Sequence, residues 1–528
     1  MDDKYVINEN SFKLVHTEET VLHDEKLSTK RVGYFKDALR RFAKNKGSVV
    51  AASIIFLLVL FAIFAPIISK HGLSDRDMMY KDRSPLIRGN EQGLFWDGGQ
   101  TQTISETQYR YYRSIEKDTG YSPITRVLKV TENEEDGTSY KVRVNTYYQI
   151  GAYWATISKE ELQEIIDFQE KTGLQVILPY VRYQALGNGG SPDIQAGKET
   201  SKMKEDGLKR KNADANICYY FTVKAQPRVV NDSFVYAYAY QSQSTLFHEY
   251  NSLRVDGDPK KTDPTADGYA YVMDAAGAVE VRLCYYNYYI FQRGETPQYL
   301  FGTDTFGKDI FHALGKGARF SLILAVCVSV VNFVLGTIYG SIEGYYGGAA
   351  DMIMERISDI LSGVPLMIVV TLFNLHLAKT VGVIPAFLLA FVSTGWIGTA
   401  ALVRKQFYRF KLQEYVLASR TLGAKDPRIM FKHIFPNSLG TIVTSSVLVI
   451  PGVIGSETML TYLGIINLSG EKLTSIGALM ASANGSFDAY PHELFFPALF
   501  LSLLMICFNL FGNGLRDAFN PALRGADE

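Results

Sequence analysis

The stretch EYVLASRTLGAKDPRIMFKHIFP, residues 414–436, decides how this chain is read. It is polar and basic, lies between two long apolar runs, and belongs to a segment with eight Lys and Arg residues between Arg404 and Lys432. That placement marks a loop of a membrane protein, and its positive charge assigns it to the cytoplasmic side. Local signals predict two short helices. The first covers about Leu412 to Leu422, with Glu414 in its opening turn, where a carboxylate meets the positive end of the helix dipole. Gly423 reads as a C-terminal cap, since glycine enters the left-handed backbone region without steric cost. Asp426 as N-cap and Pro427 at the first helical position restart the chain, and Pro436 ends the second helix. A stiff helix–glycine–helix elbow at a membrane surface reads as a docking piece. The plainer alternative is an amphipathic linker lying against anionic lipid.

On either side of the elbow, six apolar runs are long enough to cross a ~30 Å hydrocarbon core: Gly47–Ser69, Phe320–Ile342, Ile357–Ala378, Val381–Val403, Ser438–Leu463 and Leu494–Gly512. Lys36, Arg40, Arg41, Lys44 and Lys46 precede the first run and hold the N-terminus inside. Arg516 and Arg524 do the same for the tail. The first run starts too far from Met1 for a secretory signal, so an uncleaved helix is expected. Pro365, Pro385 and Pro451 fall within spans, where neighbouring helices or water can serve the freed carbonyls. Glu457, inside the fifth span, has two readings: it lines a translocation path, or it sits near a helix end and is solvated from the outer interface.

Residues 70–300 hold no spanning run. Alternation in Lys141–Tyr147, Val235–Tyr240 and Val279–Leu283 predicts strands. Ser158 and Glu161 form a capping-box pattern ahead of Leu162, Ile165 and Ile166, and Gly173 follows the end of that helix. Ala196–Asn216, charged and poor in large apolar residues, reads as a mobile loop. Tyr147, Tyr148, Tyr153, Tyr285, Tyr286, Tyr288 and Tyr289 form either a peptide-binding face or ordinary core and cross-strand packing. The expected architecture is a polytopic α-helical membrane protein with six transmembrane helices and an inserted α+β domain outside the membrane. Its divisions are a cytoplasmic segment 1–46, a first span 47–69, the insert 70–300, and a core 301–528 that carries the loop 404–436.

Composition narrows the function. The 54 basic and 54 acidic side chains cancel, and a large soluble part dilutes the apolar spans to neutral mean hydropathy. The basic residues gather at loop ends and form no continuous stretch, which gives no support for nucleic-acid binding. Of four cysteines, Cys327 and Cys507 lie in apolar runs and read as small buried hydrophobes. Cys218 and Cys284 can form one disulfide if the insert faces an oxidising space, and the sequence leaves that pairing open. There is no Cys-x-x-Cys or His-rich spacing for a metal, and no nucleophile–base constellation. Gly302, Gly307 and Lys308 come near a phosphate-binding loop, but Asp309 stands where Ser or Thr would hold magnesium, so ATP binding is rejected there.

Glu414, Ala418, Gly423, Ile429, His433 and Pro436 match the "EAA" loop of ABC-importer permeases, and the run resembles the dipeptide/oligopeptide branch. Gly302-Thr-Asp304-Thr-Phe-Gly307-Lys308-Asp309, followed by Gly317-Ala-Arg319, resembles a signature of the same branch, with Lys308 in place of the usual Arg. Phe61–Pro66, Thr461–Gly464 and Phe508–Asp517 also look like this branch, so the resemblance covers residues 34–69 and 301–528 and is silent on the insert. It implies a type I ABC-importer permease fold with the elbow as coupling helix. It further implies a homologous second permease subunit, two cytoplasmic ATPase subunits that carry the ATP and Mg, an external substrate-binding lipoprotein and a peptide substrate, with no cofactor and no metal on this chain. On such an elbow His433 reads as a residue that packs or hydrogen-bonds at a subunit contact, in preference to proton chemistry. Relatives carry nickel, opines or sugars, which is the first alternative cargo. A membrane-tethered receptor working through its external domain is the alternative from another class.

Overall fold

The computed structural model describes residues 34–519, leaving out 91–92, 94, 134–136, 179, 182–216, 220–227, 231–232, 236, 240–244, 248, 252–268, 271, 276, 469 and 471–472. Among the described residues, five helices are long and apolar enough to cross a membrane: Lys46–Ile68, Ile310–Tyr346, Val383–Phe410, Asp426–Tyr462 and Pro491–Phe519. A sixth crossing exists if the pair Gly348–Ser362 and Leu366–His376, bent by 74°, is one span. Large apolar side chains such as Phe56, Leu57, Ile67 and Ile360 lie exposed on the outside of this bundle. That distribution suits a surface solvated by lipid, where helices satisfy their backbone internally.

The bend corrects the expected continuous span Ile357–Ala378. Pro365 lacks an N–H and adopts ψ 130°, outside the helical region, so one helix stops at Ser362 and the next starts at Leu366. The second span is also longer than the expected Phe320–Ile342. It begins directly after Asp309, whose side chain accepts from the Phe311 amide at 2.9 Å, and it runs 37 residues to Tyr346. At 1.5 Å per residue it is roughly 55 Å long and overshoots the hydrocarbon core. Pro451 sits just past a break at Leu448 that divides Phe435–Val447 from Val449–Tyr462.

The bundle is packed through small residues. Gly336, Gly340 and Gly344 stand four apart on the long helix and face Val383–Phe410 across Trp396, Ala400 and Arg404. A Cβ at Gly340 would overlap the Ala400 carbonyl, so the two backbones touch as in other small-xxx-small interfaces. At the other flank, the amphipathic helix Tyr34–Lys44 buries Ala38 and Phe42, with Phe42 meeting Phe511 edge-on at 5.4 Å. The first and last spans cross where Gly514 meets Ser48. Cys507 is buried as expected. Cys327 is exposed on the long helix, which corrects its reading as a buried hydrophobe.

Between the first two spans lies an α+β region. The strand Gly137–Asn145 is central to an antiparallel sheet with Gly99–Ser105 and Ile124–Asn133 on its two sides. A second sheet orders Val272–Ala275, Ala278–Cys284 and Ala152–Ile157, and Ile177–Leu178 also pairs with Ala278–Cys284. The helix Lys159–Thr172 starts at Ser158, which accepts from the Glu161 amide at 3.1 Å, and ends at Gly173 with φ +72°. Ile165 and Ile166 form its buried face. The expected strand Val235–Tyr240 is described as two pieces, Ser233–Val235 and Ala237–Ala239, which pair with different partners. Residues 196–216 lie outside the described residues, as does the side chain of Cys218.

The tyrosines pack. Tyr147, Tyr285, Tyr288 and Tyr289 are buried in one cluster with Tyr80 and Tyr299, and Tyr148 and Tyr153 pack against it. Tyr286 flanks the neighbouring cluster. Tyr80 lies at the centre of the first cluster, with the rings of Tyr285 at 4.8 Å, Tyr289 at 5.3 Å and Tyr147 at 5.4 Å. Offset and edge contacts of this kind hold aromatic cores together. They leave little of these rings for a peptide-binding face.

Candidate functional site

The elbow forms, with three local corrections. Its first helix is Glu414–Thr421, shorter than Leu412–Leu422, and Gln413 is the N-cap in an extended conformation without a side-chain cap bond. Gly423 has φ +80°. Its amide donates to the Arg420 carbonyl at 3.0 Å, and the Ala424 amide donates to the Ser419 carbonyl at 3.1 Å. These two bonds make a complete Schellman motif, which fixes the direction of chain exit.

The second helix restarts one residue earlier than expected. Lys425 is the N-cap, and Asp426 and Pro427 occupy the first two helical positions. The Asp426 carboxylate is thereby released from capping and accepts from the Tyr345 hydroxyl at 2.6 Å. Pro436 does not end this helix, contrary to expectation. Residues Ile429–Ile434 take the wider π-helical turn, with the Phe435 amide donating to the Met430 carbonyl. Pro436 then falls in the first turn of Phe435–Val447, directly after the π turn.

The elbow has a core of its own. Val416, Ile429, Met430 and Ile434 are buried together with Tyr345, Val403, Phe407 and Ile442. Tyr345, next to last in the long helix, ties both arms. Besides Asp426 of the second arm, it receives Arg420 of the first, with Nη2 3.3 Å from its hydroxyl and the guanidinium 5.7 Å from its ring centre. Of the expected coupling residues, Ile429 is therefore in the core, His433 is half-buried, and Glu414, Ala418, Gly423 and Pro436 are exposed. Beside them Leu412 is 71% exposed and Leu422 is 87% exposed. Both leucines thus project from the basic outer surface of the elbow.

A second feature escaped the sequence reading. Arg404 makes paired bonds to Asp351 at 2.6 and 2.8 Å and to Glu355 at 2.6 and 3.0 Å. Tyr408 donates to Asp351 at 2.7 Å. This fork fastens the bent pair of helices to the helix that feeds the elbow. The signal was two charged or polar pairs at helical i,i+4 spacing, 351/355 and 404/408, in segments with no sequence cue to their proximity.

At the far end of the long helix, the signature residues form a clasp. Asp304 Oδ1 accepts from the amides of Phe306 at 2.9 Å and Lys308 at 2.8 Å. Burial pushes the Asp304 carboxyl above the usual carboxylate range, with those amides and the Lys308 charge opposing. Gly307 has φ +71°, and a Cβ there would overlap the Asp77 backbone. Gly302, buried beside it, also has positive φ and abuts the Arg83 carbonyl. Thr303 Oγ1 accepts from the Arg83 amide at 2.8 Å and donates to the Tyr80 carbonyl. Asp309 accepts from Ser69 Oγ at 2.7 Å as well as capping its own helix. Segment 69–83 is thus held to loop 302–309 by both backbones.

Glu457 is 0% exposed. It accepts from Ser321 Oγ at 2.8 Å and Thr461 Oγ1 at 3.2 Å. Buried this way it has no solvated outer face, and in this conformation it lines no open path. Among the described residues, no group of His, Cys, Asp and Glu is arranged to hold a metal.

Two family models match the chain. Residues 332–525 match the binding-protein-dependent transport system inner membrane component, and residues 33–85 match the N-terminal TM domain of oligopeptide transport permease C. Over 224 residues the chain is 44% identical to the oligopeptide transport system permease protein OppC of Bacillus subtilis, covering 42% of this chain and 72% of that protein. Its identity to the dipeptide transport system permease protein DppC of the same organism is 41% over 226 residues, 42% and 69% of the two chains. For OppC of Escherichia coli it is 37% over 224 residues, 42% and 72%. A chain of the inward-facing MetNI methionine ABC transporter aligns over 39% of this chain and 96% of its own, at 16% identity and TM-score 0.32.

Helix number, bundle packing and these matches define a multi-pass membrane permease, a transporter subunit and not a catalytic enzyme. The chain belongs to the binding-protein-dependent ABC permeases, in their oligopeptide/dipeptide branch, and carries an additional α+β region between the two matched stretches.

Proposed function

We propose that this chain is one of two permease subunits of an ATP-driven importer that moves oligopeptides or dipeptides across the plasma membrane of a bacterium. In this reading residues 1–46 and the C-terminal tail lie in the cytoplasm, residues 70–300 lie outside, and loop 404–436 couples to the motor. The partners are a homologous permease, two cytoplasmic ATPase subunits and an external substrate-binding lipoprotein. ATP and Mg belong to the ATPases.

The observation that carries the reading is the elbow. Its two arms share one buried core and a Schellman turn, and both are pinned to Tyr345. A coupling piece has to transmit displacement, and a loose loop would absorb it. Its exposed face, Glu414, Ala418, Leu412 and Leu422 with Arg428 and Lys432 nearby, is the surface offered to the ATPase. The test is cross-linking from Ala418→Cys in membranes that contain the whole complex, alongside uptake of a labelled peptide. Capture of a nucleotide-hydrolysing subunit is expected. Failure to capture one, with the chain correctly inserted, overturns the reading.

A further inference from the structure

The start of the last span packs against both stretches of the clasp. A Cβ built at Gly302 would overlap the Arg83 carbonyl and lie 2.8 Å from the His492 ring, so positions 83, 302 and 492 meet. Their chain neighbours Asp82 and Glu493 meet as well, with the two carboxyls in hydrogen-bond reach of each other. Glu493 is 3% exposed. Its Oε2 accepts from Ser486 Oγ at 2.6 Å, while its Oε1 is buried with no donor. Asp82 Oδ1 is likewise buried with no donor. The Asp82 backbone stands in the left-handed region at φ +57°, and its amide donates to the Asp304 carbonyl at 3.1 Å. A non-glycine residue keeps that conformation where its surroundings hold it.

No cation answers this pair among the described residues. Arg83, next in the chain, gives Nη1 to the Thr146 carbonyl at 2.6 Å and Nη2 to the Met79 carbonyl at 2.8 Å. The other ionisable groups facing the pair are Asp304, Tyr490 and His492. Asp304 and Tyr490 bring no positive charge, and His492 Nε2 makes no hydrogen bond. Two carboxylates in contact and away from water cannot both be ionised, and such a pair keeps one proton between them. We propose that Asp82 and Glu493 share a proton, and that this bond is a latch joining the segment that enters the α+β region to the start of the last span. With the proton bound, one carboxyl donates to the other and the contact is complete. As pH rises the proton passes to water, two like charges face each other, and the latch opens. The inference is independent of cargo and of the direction of transport.

The test is hydrogen–deuterium exchange of residues 77–84 in the full chain, held with its partner subunits in lipid nanodiscs. The scan runs from about pH 5 to about pH 9.5, spanning the range above an ordinary carboxyl, with the intrinsic exchange rate divided out at each pH. In the parent, protection is expected to fall severalfold toward the alkaline end. Glu493→Gln and Asp82→Asn each set a permanent N–H donor against the remaining carboxylate, and each is expected to keep the protection high and level. They are made separately, so that a folding failure in one leaves the other to be read. Level protection in the parent overturns the proposal. So does a parent-like pH profile in the amide variants, which would assign the titration to Tyr490 or His492, and so does low protection at every pH in both.

Discussion

The Tyr345 hydroxyl donates to the Asp426 carboxylate at 2.6 Å, joining the end of a 37-residue helix to the second arm of the elbow. Asp426 is free for this because Lys425 takes the capping position. Tyr345→Phe keeps the ring and its place in the elbow core but removes the bond. A hydrogen bond to a charged group contributes about 1.5–3 kcal/mol, toward the lower end where it is part-exposed. The variant should insert normally and lose uptake severalfold. Parent-like uptake by Tyr345→Phe would show that the pin transmits nothing.

Gly423→Val should block uptake while leaving the chain in the membrane. No atom stands within 4 Å of a Cβ built at Gly423, so the cost comes from the backbone at φ +80°. For a β-branched residue that cost is at least ~1–2 kcal/mol. Gly423→Asn, which tolerates the left-handed region better, should recover much of the loss. Uptake and membrane content measured together separate a coupling defect from a folding one.

Gly307→Ala should be worse than a conformational cost alone. Here the added methyl meets the Asp77 backbone, which cannot swing aside. Overpacking adds roughly 1–3 kcal/mol to the left-handed penalty. The junction between segment 69–83 and the long helix should loosen, which limited proteolysis of the detergent-solubilised chain would detect as new cleavage near Asp77. Gly173→Ala, with a similar φ of +72° and open space around it, is the control for the backbone term.

Arg404→Lys should lower thermal stability although charge is kept. The guanidinium makes four bonds to two carboxylates at 2.6–3.0 Å, and an ammonium cannot reproduce that fork. A loss of roughly 2–3 kcal/mol is expected. An unchanged melting temperature in detergent would mean the fork is an idle surface contact.

The tyrosine cluster predicts alkaline lability. Burial pushes Tyr80 and Tyr147 well above the usual phenol range and Tyr289 up to about 12. In the unfolded chain these groups ionise near pH ~10. Their raised folded-state values contribute stability that is complete below that pH and is lost as pH rises through the folded values. Phenolate absorbance of the buried rings should therefore rise together with loss of near-UV circular dichroism, above about pH 10. Phenolate appearing while the native dichroism persists would contradict the cluster.

What the sequence made legible was local. Gly423, Gly173 and Ser158 are read correctly because a cap depends on its own residue and a few neighbours. Pro436 misled because the π turn before it is set by Ile429, Met430 and Ile434 reaching a core built from other helices. Pro365 reads from sequence as tolerable within a span, whereas in the fold it marks a 74° break. The Arg404 fork and the Tyr345 pin were invisible because their partners are brought together only by the fold. The glycines at 336, 340 and 344 were visible and went unread.

The long helix Ile310–Tyr346 is fastened near both of its ends. At Asp309 it is clasped to the segment leading into the added α+β region, and at Tyr345 it is bolted to the elbow. One continuous strut therefore has an anchorage at each face of the bundle. Between the two anchorages lies roughly 55 Å of unbroken helix, so the added region and the elbow share one structural member.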